Sequence, residues 1–236
     1  MWPQPDHPTA GGALLDRLEA ALGRRVGAYA VTARTDAGVH ANLNLATVRL
    51  WKHAGPLDLS PLRTPRDDGL SDVRAVRGPH TVYARGLAVA KRYVYAWDQP
   101  LDRDAMQAAA AHLRGTHDVS AIRGRRVSPE RCRDLTLDRV DVEADGTSTR
   151  LVVEGARFVR HQVRIMATLL ADVGRGDRHP DELADILISR DTRHGAGPAP
   201  GTGLTLSALR LQDRPDVWVD APDQVDLQAL CEVQAG

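Results

Sequence analysis

Residues 33–41 read Ala33-Arg34-Thr35-Asp36-Ala37-Gly38-Val39-His40-Ala41, and the rest of the chain is best read outward from them. The centre, Thr35 to His40, is turn-like, because Asp hydrogen-bonds its own backbone and Gly accepts tight conformations. Apolar runs flank it. Arg25 to Thr32 predicts a strand, and Asn42 to Leu50 alternates through Leu43, Leu45, Val48 and Leu50 as a second strand with one irregularity. Strands joined by so short a connection are antiparallel neighbours. Upstream, Leu14, Leu15, Leu18, Ala21 and Leu22 recur at helical spacing after a Gly pair, predicting a helix from about Ala13 to Leu22. Downstream, residues 55–71 carry Gly55, Pro56, Pro61, Pro65 and Gly69 and form a loop or short turn, after which Val73 to Arg77 and Val82 to Trp97 predict strands.

Pro100 stops the long strand, and Leu101 to Leu113, acidic at its start, predicts a helix. Arg133 to Glu143 alternates, Asp145-Gly146 turns the chain, and Arg150 to Glu154 returns as a hairpin. Phe158 to Val173 predicts a well-buried helix ended by Gly174-Arg175-Gly176, and Asp181 to Ser189 a shorter one. The Gly/Pro segment 195–203 is expected to be a plain connection to a last strand, Leu204 to Leu211, with the acidic end peripheral. Two α+β halves follow, at 1–100 and 101–212, with an acidic extension at 213–236. Their similar element order implies a pseudo-repeat sharing a mixed, mainly antiparallel sheet, helices on one face and a basic cleft between the halves.

The 236 residues, 42% hydrophobic and 26% charged, suffice for one large domain or two small ones and exclude a disordered or collagen-like chain. No run approaches the roughly 20 apolar residues of a membrane helix, and the N-terminus lacks the regions of a signal peptide, so a cytoplasmic location is expected. Cys132 and Cys231 form no CxxC pair, which predicts buried thiols and no zinc site. The net charge is +0, but only Lys52 and Lys91 are lysines, so 29 of 31 basic residues are Arg, the better phosphate fork. A GC-rich genome enriches Arg equally well. Arg123, Arg125, Arg126, Arg131 and Arg133 cluster against Glu130 alone, whereas the end carries Asp213, Asp216, Asp220, Asp223 and Asp226.

Within the opening stretch, Asp36 stands two residues from Arg34, and a nearby guanidinium favours an ionised carboxylate. On spacing alone a turn-stabilising Asp that hydrogen-bonds its own loop is the favoured reading of the segment. Arg164 interrupts an otherwise apolar helix pattern and needs a partner if buried. Tyr93 on a long strand reads as core with its hydroxyl at the edge. His161 reads as a hydrogen-bonded core residue rather than a metal ligand, and His117, Asp118 and Ser120 as structural.

Five ordered blocks resemble the tRNA pseudouridine synthase A family. They are ARTDAGVHA at 33–41; Ala84-Arg85 with Lys91-Arg92-Tyr93-Val94-Tyr95; Gly115-Thr116-His117-Asp118-Val119-Ser120-Ala121; Phe158 to Met166 with Val173-Gly174-Arg175-Gly176; and Ala199-Pro200 through Gly203-Leu204-Thr205-Leu206. The resemblance implies isomerisation of uridine to pseudouridine at tRNA positions 38 to 40 in the anticodon stem-loop, without cofactor or metal, by a homodimer. It implies Asp36 as the nucleophile, attacking ribose C1′ or uracil C6, with Arg34 and Arg164 as its catalytic partners. It further implies Tyr93 flat against the uracil, His161 at the RNA, and Arg123, Arg125 and Arg126 along the tRNA track.

Departures are visible. The family's YDGT-like first strand has no counterpart before Met1-Trp2-Pro3-Gln4, as a misassigned start or a deletion would leave it. Ala33 replaces a Gly, Val119 and Ile122 stand where Phe is usual, Thr168 sits at a helix Gly, Tyr83 replaces a His, and Gly86-Leu87 replaces an aromatic and polar pair. The competing readings are a tRNA-binding protein without catalysis and a structural paralogue that binds no RNA.

Overall fold

The computed structural model describes residues 9–50, 57–146 and 148–235. Residues 1–8, where the family's first strand was expected to be missing, lie outside them, as do Gly55, Pro56 and Lys52. In chain order the elements are α1 (Ala10–Leu22), β1 (Tyr29–Val31), β2 (His40–Ala41), β3 (Ala46–Val48), α2 (Ala84–Leu87), β4 (Ala88–Trp97), α3 (Arg103–Ala111), β5 (Gly115–His117), β6 (Leu135–Leu137), β7 (Arg139–Asp145), β8 (Ser148–Gly155), α4 (Gln162–Gly174), α5 (Glu182–Ser189), β9 (Leu204–Leu211), β10 (Arg214–Val219) and α6 (Leu227–Ala235). The fold is α+β. Contacts divide the chain into two compact units, one of residues 1–35, 42–89 and 209–236, the other of 36–41 and 90–208.

In the first unit α1 begins earlier than its apolar spacing predicts, because the Thr9 hydroxyl caps it by accepting the Gly12 N–H at 3.0 Å. Leu18, Leu62 and Val73 form a small core. The strand expected over Val73 to Arg77 is absent: Val73 buries its side chain against α1, but its segment joins no strand ladder. Apolar content there serves burial rather than pairing. Beneath α1, Arg17 is 2% exposed and its fork grips both oxygens of Asp68 at 2.6 Å, while further N–H groups reach the carbonyls of Leu62, Thr64 and Leu70. β1 and β3 pair antiparallel, as expected, with Ala30 opposite Thr47.

The segment from Val82 is not all strand. Residues 84–87 make one helical turn, α2, fastened by the Thr32 hydroxyl donating to the Ala84 carbonyl at 2.7 Å. The acidic end is a working part of this unit, not a periphery. β10 pairs with residues 209–211 of β9, Leu230 of α6 is 1% exposed, and the Tyr83 N–H donates to Gln234 at 2.8 Å.

The second unit is built on β8, antiparallel to β4 on one side and β7 on the other, with Tyr93 opposite Val153 and Val140 opposite Val153. β9 lies beside β4, and the two-residue β2 pairs parallel with β9, His40 opposite Thr205. β5 and β6 form a separate two-stranded ladder. α3, capped by Asp102, packs on β7 and α4. Met106, Leu151, Met166, Leu169, Leu170 and Leu206 are fully buried, each contributing about 1.5–3 kcal/mol.

α4 starts at Gln162, four residues later than its apolar pattern predicts. His161 takes a left-handed conformation, φ 63°, which breaks the helix before it can include Phe158. Both cysteines are free and buried, and burial pushes the Cys132 thiol up.

Candidate active site

The turn that carries Asp36 is short because the Val39 N–H returns to the Asp36 carbonyl at 3.2 Å, and β2 then docks the chain onto β9. The Asp36 side chain is 29% exposed. Against it stands α4. The Arg164 Nη1 donates to Asp36 Oδ2 at 3.0 Å, and His161 Nε2 lies 3.5 Å from the same oxygen. Arg164 sits between Val163 and Ile165, both buried; its side chain is 14% exposed and finds the partner that burial demands.

The Gly/Pro loop read as a plain connection is part of this machinery. The Arg164 Nε donates to the Ala199 carbonyl at 2.6 Å, and the Ala199 N–H donates back to the Arg164 carbonyl at 3.0 Å. These bonds fix the guanidinium's direction. Farther along, a Cβ at Gly201 would meet the Ala37 carbonyl at 2.3 Å, so only glycine lets the loop lie against the Asp36 turn. Thr168, where the family has a Gly, donates to the Gly197 carbonyl at 2.8 Å and ties the same loop to α4. The motif block at 199–206 was legible; its anchoring role was not, because it runs through backbone groups that no side-chain pattern encodes.

Tyr93 is buried, as the ordinary strand reading expects. Its ring meets Phe158 edge-on, with centroids 5.1 Å apart and an angle of 81° between planes. Burial, followed by the negative charge of Asp36, pushes its phenol far above the usual range, so it stays neutral. His161 is pushed down, mainly by burial and also by Arg160 and Arg164, with Asp36 opposing. The Arg160 Nε donates to His161 Nε2 at 3.2 Å. Nε2 thus faces a donor on one side and a carboxylate oxygen on the other, and a neutral ring serves only one of them.

The remaining expected residues are placed differently. Arg34 is exposed and belongs to the first unit, two residues back along the chain from Asp36. Arg125 and Arg126 are exposed, whereas Arg123 is partly buried and its Nη1 donates to the Val127 carbonyl of its own loop. Asp118 accepts from the Ser120 N–H at 2.9 Å, a structural turn as expected. Among the described residues no group of three or more His, Cys, Asp or Glu is placed to hold a metal ion, and no helix is long and apolar enough to cross a membrane.

A family model described as tRNA pseudouridine synthase matches residues 109–210. The chain is similar to the tRNA pseudouridine synthase A of Azorhizobium caulinodans, 33% identical over an alignment of length 244 that covers 94% of this chain and 92% of that protein. It is also similar to the protein of the same name from Myxococcus xanthus, at 33% identity with 90% and 86% covered. A third, from Cereibacter sphaeroides, is 35% identical with 81% and 85% covered. With likeness of this extent across nearly the whole length of both partners, and the aspartate turn and arginine helix meeting at one point, the chain belongs to the tRNA pseudouridine synthase family.

Proposed function

We propose that this chain isomerises uridine to pseudouridine in tRNA, at positions 38 to 40 of the anticodon stem-loop, with Asp36 as the nucleophile. The observation that carries the reading is the contact between Asp36 and Arg164, two residues 128 positions apart that meet at 3.0 Å on a partly exposed surface. An arginine aimed by a carbonyl at one oxygen of an accessible carboxylate suits a carboxylate that must act, because it fixes the reacting group before substrate arrives.

The reaction breaks the C1′–N1 bond and forms a C1′–C5 bond; C5 loses a proton and N1 gains one, so the atoms balance within the substrate. An ionised carboxylate serves as nucleophile at C1′ or at C6. Either route needs the uridine out of its stack, at a cost of a few kcal/mol. In this reading Arg34 helps fill the vacated space, and neutral Tyr93 lies against the uracil. His161 faces the RNA, and Arg125 and Arg126 take phosphates of a track that Arg123 shapes from within its loop. We propose also a homodimer that holds one tRNA across both subunits in the cytoplasm, which light scattering with and without tRNA tests.

The deciding experiment is pseudouridine formation in unmodified tRNA transcripts by wild type and Asp36→Asn, both checked for folding. Product from wild type alone, with binding retained by the variant, is the expected result. A folded wild type that binds tRNA and forms no pseudouridine would overturn the reading in favour of a catalytically inactive tRNA-binding protein.

A further inference from the structure

Arg125 and Arg126 follow directly on Gly124, and Gly124 is bonded to the turn that starts α4. Its N–H donates to the Arg160 carbonyl at 2.7 Å, immediately before His161. A Cβ built on Gly124 would lie 2.8 Å from that carbonyl oxygen, 3.0 Å from His161 Nδ1 and 3.1 Å from His161 Cγ. The obstruction is therefore the imidazole and the peptide behind it, not the far end of a flexible side chain. Unlike Gly38 or Gly176, Gly124 has no positive φ, so its own backbone conformation is open to any residue. Glycine is required there for the close approach alone.

What lies beyond the contact gives it consequence. His161 holds the left-handed conformation that starts α4 and has no side-chain cap of its own. Its carbonyl accepts the Ile165 N–H at 2.9 Å, and Arg164 on the same first turn reaches Asp36. A displacement of residues 160–161 therefore moves both groups that touch Asp36 Oδ2. On the other side of Gly124 the two exposed arginines continue the chain without an intervening residue.

We propose that Gly124 is a positioning residue that couples the arginine loop to the Asp36, His161 and Arg164 cluster, so that engagement of phosphates by the loop and placement of the cluster are one event. This rests on the proposed isomerase activity for its kinetic readout, but not for its spectroscopic one. In this arrangement a methyl at position 124 pushes against the Arg160 carbonyl and the His161 ring, which lie within 3.1 Å of it.

The test is Gly124→Ala, assayed for kcat and KM on tRNA transcripts and for the imidazole 15N resonances of His161 across pH, with His117 as an internal control. The expected result is kcat down about ten- to a hundred-fold, as a displacement on the order of 1 Å produces, KM raised because loop and cluster move together, and moved His161 resonances beside unmoved His117 ones. Unchanged kcat, or unchanged His161 resonances in a folded variant, would overturn the coupling. If wild type forms no pseudouridine, the functional reading fails while the resonances still decide whether Gly124 sets His161. Should the variant not fold, hydrogen exchange of the wild type decides instead. Gly124 and Ile165 amides exchanging as one unit support the coupling, and Gly124 exchanging faster alone overturns it.

Discussion

Two arginine–aspartate pairs, one in each compact unit, use the same chemistry to opposite ends. Arg17 in the first unit is buried, grips both oxygens of Asp68 and sends further N–H groups to three carbonyls. Arg164 in the second unit meets one oxygen of Asp36, spends another donor on Ala199, and leaves the carboxylate 29% exposed. A guanidinium enclosed by acceptors pins a loop to a helix. One that holds a carboxylate end-on at the surface keeps that carboxylate presented to a third molecule. The same two residue types are thus told apart by how many acceptors surround the fork and by how deeply the arginine is buried, 2% against 14% exposed, since the acids themselves are alike at 24% and 29%.

The sharpest way to break this contrast is to neutralise each acid in turn. Asp36→Asn is expected to lower pseudouridine formation by about 10³-fold or more while leaving Tm within a few degrees. Asp68→Asn strands the buried Arg17 fork and is expected to lower Tm by at least about 3 °C with kcat per folded molecule unchanged. Equal loss of turnover in both variants would erase the distinction. Next in size, Arg164→Lys keeps the charge but cannot serve Ala199 and Asp36 with one rigid fork; single-turnover kinetics are expected to show a loss of about ten- to a hundred-fold. A rate equal to wild type would mean that charge alone matters there.

Smaller effects sharpen the picture at the rim. Arg125→Ala and Arg126→Ala are each expected to weaken tRNA binding and to reduce the slope of log affinity against log salt by about 0.7–0.9 per lost phosphate contact. A slope that does not move would take these residues off the track. The smallest effect is in stability against pH. His161 is held below its ordinary value of about 6.5 by burial, with Arg160 and Arg164 adding to this and Asp36 opposing. Between the folded and unfolded values the unfolded chain binds more protons, so stability rises with pH through that window and is lost as pH falls below about 6.5. His161→Gln is expected to flatten this part of the Tm profile; an unaltered acid limb would show that His161 does not contribute to it.

The contact between Asp36 and Arg164 was half legible. Spacing favoured a merely structural Asp36, which only the family resemblance singled out, whereas Arg164 interrupts an apolar helix where only a partner excuses a charge. What escaped is carried by backbone. Ala199 acts through its carbonyl and N–H, Gly124 and Gly201 through the atoms they lack, and none of these leaves a pattern of polarity or period. The fold shows the same division. α1, α3, α4, α5 and the β7–β8 hairpin were legible in the sequence, with boundaries moved by Thr9 and by the left-handed His161, whereas β10 and α6 of the acidic end were not. The strand expected over Val73 to Arg77 failed because alternation reports burial, and Val73 is buried by α1 without a partner strand. Residues 84–87 coil because Thr32 and Thr47 hold both backbone groups of Ala84, a tertiary influence absent from the local sequence.

The pairing of His40 with Thr205, and of Asp36 with Arg164, has a consequence for biosynthesis. Asp36 leaves the ribosome early, but its arginine follows 128 residues later and the strand that docks its turn later still. At about 5–20 residues per second the interval to Arg164 alone is roughly 6–26 s. A nascent chain therefore carries Asp36 through that interval without the groups that meet it, and the cluster closes only once residues 204–211 have followed. Until then the Asp36 turn has neither the guanidinium nor the strand that fixes it.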